Sequence, residues 1–302
     1  HAPLGAEELP RLRREALALA AVHHPSVVQV YDFGETADGS PYLVMELVRG
    51  EPLGARIQRA GPFSVTDAAL LLLPLLEGLA AAHRAGVIHR DIKPDNVVLS
   101  AGVPGPVPKL LDFGIARLDR GDARLTADGG FLGTPAYMAP EQVRGLVADE
   151  RADVWGMGVL FYEMITGRAP FGFDEIVAVI RRVVDEPPSY PRDARGLDGR
   201  LWGVLMAALR KDPAERTPSA LALREALAGW LEARGVGPSS RPSSAATATT
   251  QAAGMAPDAR LAATLAAAGA PAVPARANTP SPAVSSAPPS LDALIRAKLG
   301  RS

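Results

Sequence analysis

Leu9, Leu12, Ala16 and Leu19 recur at the three- and four-residue spacing of a single helical face, and His24-Pro25 closes that run. Two short β-rich stretches follow, Val27 to Phe33 and Tyr42 to Leu47, joined by a turn that contains Asp38 and Gly39. That arrangement predicts a hairpin. From Thr66 to Ala85 apolar residues dominate, the pattern of a buried helix. Two strand-like runs, Val97 to Leu99 and Lys109 to Leu111, flank a Gly/Pro turn. Beyond Asp149 the pattern is mainly helical to about Ala233. A few strands followed by many helices predicts an α+β fold and not alternating βαβ units.

From Gly235 the composition changes, and Ala, Pro, Ser and Thr dominate to about Pro289. Such a mixture has too few large apolar groups to offset chain entropy, so a flexible linker is expected. Residues 235–302 carry six basic and two acidic side chains, whereas the preceding block carries 26 basic and 31 acidic ones. Leu291, Leu294, Ile295 and Leu299 share a face of a short helix that Ser290 can cap and Gly300 can end. A helix of about ten residues is marginal alone in water.

The bulk numbers exclude some classes of function. A net charge of −1 argues against a nucleic-acid or anionic-membrane binder working through bulk electrostatics. The absence of cysteine removes disulfides and thiolate zinc sites and is compatible with a cytoplasmic location. The longest apolar stretch, Ala68 to Leu76, contains Pro74 and falls short of the roughly 20 residues of a membrane span, so none is expected here. The chain starts at His1 with no signal-like segment, so a fragment or a processed product is expected.

The strongest chemical signal is His89-Arg-Asp-Ile-Lys-Pro-Asp-Asn96, with Asp112-Phe113-Gly114 following it. The first run offers a carboxylate, an ammonium and a side-chain amide within six residues, and the second adds a carboxylate on a glycine turn. Phosphoryl transfer needs one carboxylate to receive the attacking hydroxyl and metal-binding oxygens to hold nucleotide phosphates. In these motifs the chain resembles the eukaryotic-type serine/threonine protein kinases of bacteria.

The resemblance implies a two-lobe kinase-like fold with ATP and Mg2+ as cofactors and protein Ser/Thr hydroxyls as substrates, autophosphorylation included. It implies Asp91 as the base, Lys93 as the group neutralising the transferring phosphoryl, and Asn96 and Asp112 as magnesium ligands. His89, Phe113, Glu141, Asp153 and Arg216 take structural roles: Glu141 of Ala139-Pro140-Glu141 pairs with Arg216, and Asp153 holds the catalytic loop by its backbone. Gly133-Thr134-Pro135-Ala136-Tyr137 and Lys93 mark serine/threonine specificity, with Thr134 contacting Asp91 and Lys93. Thr126 is the expected site of loop phosphorylation, its phosphate pairing with Arg90 and Arg117, while Asp128 is expected to be a solvated loop residue. Glu46-Leu47-Val48 resembles the hinge that bonds adenine through its backbone, with Met45 at the back of the pocket and Val98 in its floor; an apolar strand end is the plainer reading.

Two parts of the family's phosphate clamp are missing. Glu15 fits the helix glutamate that pairs with a strand lysine, though it could equally form a surface pair with Arg11. The lysines are Lys93, Lys109, Lys211 and Lys298, none of which precedes the catalytic run, and no glycine-rich loop precedes Glu15. The chain is therefore expected to hold a small-lobe remnant (1–48), a large lobe (49–234), a linker (235–289) and a short helix (290–302). Weak or no activity is expected of it, together with exposed apolar surface around the Glu15 helix; a membrane anchor beyond the tail is compatible with this reading. A catalytically silent scaffold is the alternative. A small-molecule phosphotransferase is disfavoured by the Ala-Pro-Glu and Gly-Thr-Pro-Ala-Tyr segments, which serve peptide docking in the family.

Overall fold

The apolar stripe of the first helix turns inward as its spacing predicts. In the computed structural model, which describes residues 8–37, 40–102, 105–113 and 135–237, α1 spans Glu8–Ala20 and buries Leu12, Ala16 and Leu19. It ends before His24-Pro25, because the Gln29 side-chain amide donates to Ala20 O (3.1 Å) and satisfies a terminal carbonyl there. The expected linker from 238 onward, the 290–302 helix, and Gly114, Arg117, Thr126, Asp128, Gly133 and Thr134 lie outside the described residues.

The hairpin forms with β1 at Val30–Glu35 and β2 at Pro41–Met45, antiparallel, in the register Val30↔Met45 to Glu35↔Pro41, with an irregularity between Val30 and Asp32. The strand expected from Val27 is divided between two partners. Val27 bridges to Leu110 in parallel, the Val28 N–H donates to Leu110 O (2.9 Å), and the Leu110 N–H donates to Ser26 O (2.8 Å). A β-branched run records that a segment is extended and half-buried, not which neighbour it pairs with. Leu17, Tyr31, Tyr42, Val44, Met45 and Leu47 remain exposed, as expected around α1 and the hairpin.

A second sheet contains β3 (Gly50–Pro52), β4 (Val97–Ser100) and β5 (Val107–Leu110) in that order, all antiparallel. Three residues with Gly and Pro at the ends leave β3 without a sequence signal. Its strands lead directly into the segments that carry the site: β4 follows the turn at Pro94–Asn96, and β5 runs toward Asp112.

Helices make up the rest: α2 (Leu53–Ala60), α3 (Val65–Arg84), α4 (Pro140–Val143), α5 (Glu150–Thr166), α6 (Ile176–Asp185), α7 (Gly199–Ala208) and α8 (Ala220–Glu232). Ser64 caps α3 by accepting the Asp67 N–H (3.1 Å), and Asp149 caps α5 by accepting the Arg151 N–H. Gly167 at φ 73° ends α5 in the left-handed conformation that glycine adopts at no steric cost.

One expectation needs correcting. By length and composition α3 is apolar enough to cross a membrane, with a mean hydropathy of 1.7, because Pro74 lies inside the helix without ending it. Here 72% of that window is buried in the fold, and α3 packs against α5 and α8 as a core helix.

Almost every residue of α5 is buried, which requires its polar members to be satisfied internally. Nearby, Arg216 donates through both terminal nitrogens to Glu141 (2.7 and 2.8 Å) and through Nε to Arg210 O (3.0 Å), with both side chains almost inaccessible. Removing one partner of such a pair leaves an uncompensated buried charge. Arg216→Met is expected to cost about 3–5 kcal/mol, read as a lower denaturant midpoint, and Glu141→Gln on top of it should recover part of the loss. An unchanged midpoint would show that the pair is not buried in solution.

Candidate active site

The segment from His89 to Asn96 adopts a shape it could not hold alone. Arg90 sits at φ 62° and Asp112 at φ 46°, the only non-glycine residues with positive φ among those described. Such backbone costs on the order of 1 kcal/mol and persists only where the surroundings impose it. They do so here. The Asp153 carboxylate, in the first turn of α5 and 1% exposed, accepts the His89 N–H (2.8 Å) and the Arg90 N–H (2.7 Å). On the other side of the residue, Gln142 Nε2 donates to Arg90 O (3.1 Å) while its Oε1 accepts the Ala139 N–H (3.1 Å). His83, at the end of α3, places Nε2 2.8 Å from the same Asp153 oxygen that holds His89.

His89 then ties the two halves of the site together. Its Nδ1 accepts the Asp91 N–H (3.2 Å), so Nε2 carries the proton and donates to Leu111 O (2.8 Å). Complete burial pulls its pKa down despite the nearby carboxylates, keeping the ring neutral in that tautomer. The same ring packs on Phe113 with centroids 4.5 Å apart. Residues 111 and 113 are thus both fastened to the 89–96 loop, and Asp112 stands between them with its side chain exposed.

Within the loop, the Asp91 carboxylate receives Lys93 Nζ at 3.0 Å and Asn96 Nδ2 at 3.1 Å, and the same Asn96 nitrogen donates to Asp91 O (2.8 Å). The Asn96 backbone carbonyl accepts the Leu111 N–H (2.8 Å), which ties the loop to the residue before Asp112. The structure therefore brings Asp91, Lys93 and Asn96 into direct contact and places Asp112 one residue from that cluster. With its nitrogen committed to Asp91, Asn96 offers an amide oxygen; with Asp112 this makes two protein oxygens. Magnesium suits such a sparse set, since it retains waters and binds substrate phosphates. No group of three or more His, Cys, Asp or Glu that could cage a metal occurs among the described residues.

Beside Lys93 lies a cavity of about 530 Å³ lined by Asp95, Tyr137, Glu163 and Phe173 together with Gly54 and Ile57. Tyr137 donates to the Glu163 carboxylate (2.7 Å). Burial raises the pKa of Glu163 in opposition to that bond, and burial with the adjoining carboxylate raises that of Tyr137.

The region expected to meet adenine is assembled less completely. Val98 is buried in β4, opposite Pro52 and Lys109; Val48 packs partly against the core; Met45 is exposed. Glu46 turns its carboxylate to Lys109 and to the Gln29 N–H (2.8 Å). Glu15 is half-buried, which raises its pKa against the fields of Arg90, Arg11 and Arg14, and its nearest ionic partner is Arg11 at 3.9 Å. No described lysine is available to it: Lys93 bonds Asp91, Lys109 bonds Glu46, and Lys211 bonds Arg182 O and Val183 O. Sequence reasoning missed His83, Gln142 and Lys109. Gln142 follows the Ala-Pro-Glu run directly, but nothing in the local pattern marks the other two.

A strained loop locked to a buried helix carboxylate gathers a carboxylate, an ammonium and an amide, with a second carboxylate on the adjoining segment, on an α+β fold. The chain belongs to the protein kinase domain family, which matches residues 5–225. It is 42% identical over 233 residues to serine/threonine-protein kinase pkn2 of Myxococcus xanthus, covering 76% of this chain and 28% of that protein. It is 41% identical over 219 residues to serine/threonine-protein kinase PknL of Mycobacterium tuberculosis (71% and 53%), and 38% identical over 226 residues to pkn3 of M. xanthus (72% and 41%). The chain thus spans between 28% and 53% of the length of these relatives.

Asp153→Ala is expected to leave two buried backbone donors unpaired and to cost about 2–5 kcal/mol. Hydrogen exchange should show the His89 and Arg90 amides losing protection first. Retained protection at both would show that the loop holds its own shape.

Proposed function

We propose that this chain carries the catalytic centre of a serine/threonine protein kinase that moves the γ-phosphoryl group of ATP to Ser or Thr hydroxyls of proteins. The observation that carries the reading is the contact set of Asp91 with Lys93 and Asn96, joined to Asp112 through the Leu111 N–H bond to Asn96. A carboxylate held by an ammonium and an amide can orient a hydroxyl and accept its proton as the phosphoryl group departs. Lys93 stands at the mouth of the Asp95–Tyr137–Glu163 cavity, so a substrate segment lying there would present its hydroxyl to Asp91. Asn96 and Asp112 would hold magnesium, which when bound neutralises charge on the nucleotide phosphates. Adenine would lie between Val98 and the 46–48 backbone. Loop phosphorylation at Thr126 belongs to the same proposal, and the names of the relatives support its substrate class.

A second reading, a scaffold that binds partners without catalysis, is favoured by one observation: Glu15 has no lysine partner among the described residues. Asp91→Asn in the full-length protein, assayed with ATP, magnesium and a Ser/Thr protein substrate, separates the two. The rate should fall by about 10²–10⁴. Transfer that persists undiminished would remove Asp91 from the chemistry, and absence of transfer by the unaltered protein would favour the scaffold.

A further inference from the structure

Lys109, which takes no part in the cluster around Asp91, makes a close ion pair that links two distant segments. From β5 its Nζ reaches Glu46 Oε1 at 2.5 Å, across 63 residues of sequence, and both side chains are largely shielded. The same oxygen accepts the Gln29 N–H (2.8 Å), and the Glu46 N–H donates back to Gln29 O (2.9 Å). Gln29 in turn donates to Ala20 O at the end of α1 (3.1 Å) and to Val30 O at the start of β1 (3.0 Å). Partial burial works to raise the pKa of Glu46, but the bonds from Lys109 and Gln29 outweigh it and hold the carboxyl ionised.

The position of this cluster gives it meaning. Glu46 opens the segment 46–49, which joins β2 to β3 with no strand or helix of its own. Lys109 pairs in register with Val98, and Asp112 lies three residues on, just past the end of β5. We propose that the Glu46–Lys109 pair is a clasp that positions the linker backbone against the Val98 floor, and so sets the affinity for the purine of the nucleotide without taking part in phosphoryl transfer. The inference rests on the adenine placement given above. Because the Glu46 N–H is bonded to Gln29, a base edge would be met by the Glu46 carbonyl, and the clasp fixes where that carbonyl stands. Glu46 and Lys109 are therefore positioning residues: the Glu46 side chain faces Lys109 and Gln29. Asp112 lies beyond the end of β5 and its segment is held separately, by the Leu111 bonds to Asn96 and His89, so loosening the clasp should be felt in binding and only weakly in turnover.

Adenosine, which carries the base and ribose but no phosphate, is the probe that isolates this effect. In the full-length protein, Lys109→Met should raise the adenosine Kd and the KM for ATP about tenfold, the loss expected for one charge-assisted hydrogen bond. Its kcat should change by less than about threefold. Glu46→Gln, which keeps an acceptor for the Gln29 amide but removes the charge, should raise both constants similarly. Lys109→Arg should return them to near their original values. Thermal unfolding of each variant, run alongside, tests whether the fold persists. An adenosine Kd unmoved by Lys109→Met, or a kcat that falls while KM for ATP stays fixed, would overturn the clasp alone. If the unaltered protein fails to bind adenosine, the adenine placement falls and the clasp falls with it.

Discussion

One buried carboxylate carries the geometry of the site. Asp153 gives an oxygen to each of two successive backbone amides, at His89 and Arg90, and thereby fixes a loop that contains a left-handed arginine. An isolated chain would relax that residue into an ordinary conformation. The constraint comes from α5, whose near-complete burial leaves the carboxylate no solvent to turn to. Rigidity made by core packing is thus delivered to the 89–96 loop through two hydrogen bonds.

From that fixed point the remaining parts follow by short steps. His89 transmits the position of the loop to Leu111 and Phe113, and Asn96 repeats the connection through the Leu111 amide. Asp91 and Asp112, two carboxylates that would repel each other in the open, are held on adjacent segments with Lys93 and the Asn96 amide placed against Asp91. Such an arrangement is expensive for a chain to adopt transiently and inexpensive once the core has paid for it. The 46–49 linker is held differently, by the ion pair from Glu46 to Lys109 on β5, and it contains no residue of positive φ.

Much of this was legible along the chain. The α1 stripe is a local pattern of period 3.6, the long α3 a continuous apolar run, and helices appear for both and beyond Asp149 as expected. Helix and strand ends shifted because their determinants are distant: α1 stops at Ala20 under the Gln29 amide, and Val27 and Val28 leave the hairpin to pair with Leu110. The residue types at 89–96 and 112 predicted phosphoryl-transfer chemistry, and the structure brings Asp91, Lys93 and Asn96 into contact. The contacts of His83 and Lys109 left no local mark, and that of Gln142 only its place after Ala-Pro-Glu, since each partner lies more than fifty residues away.

The sequence by itself determined the class of fold and the groups available for chemistry, because hydrophobic period and residue type act over a few neighbouring positions. It also established that no lysine precedes the catalytic run. Tertiary structure alone decided that Glu46 takes Lys109, and it settled that Glu15 lies beside Arg11, while the Glu141–Arg216 pair was already expected from the motifs. The reason is physical. A charge is committed by burial and by the nearest opposite group in space, and only the packed core determines which segments become neighbours.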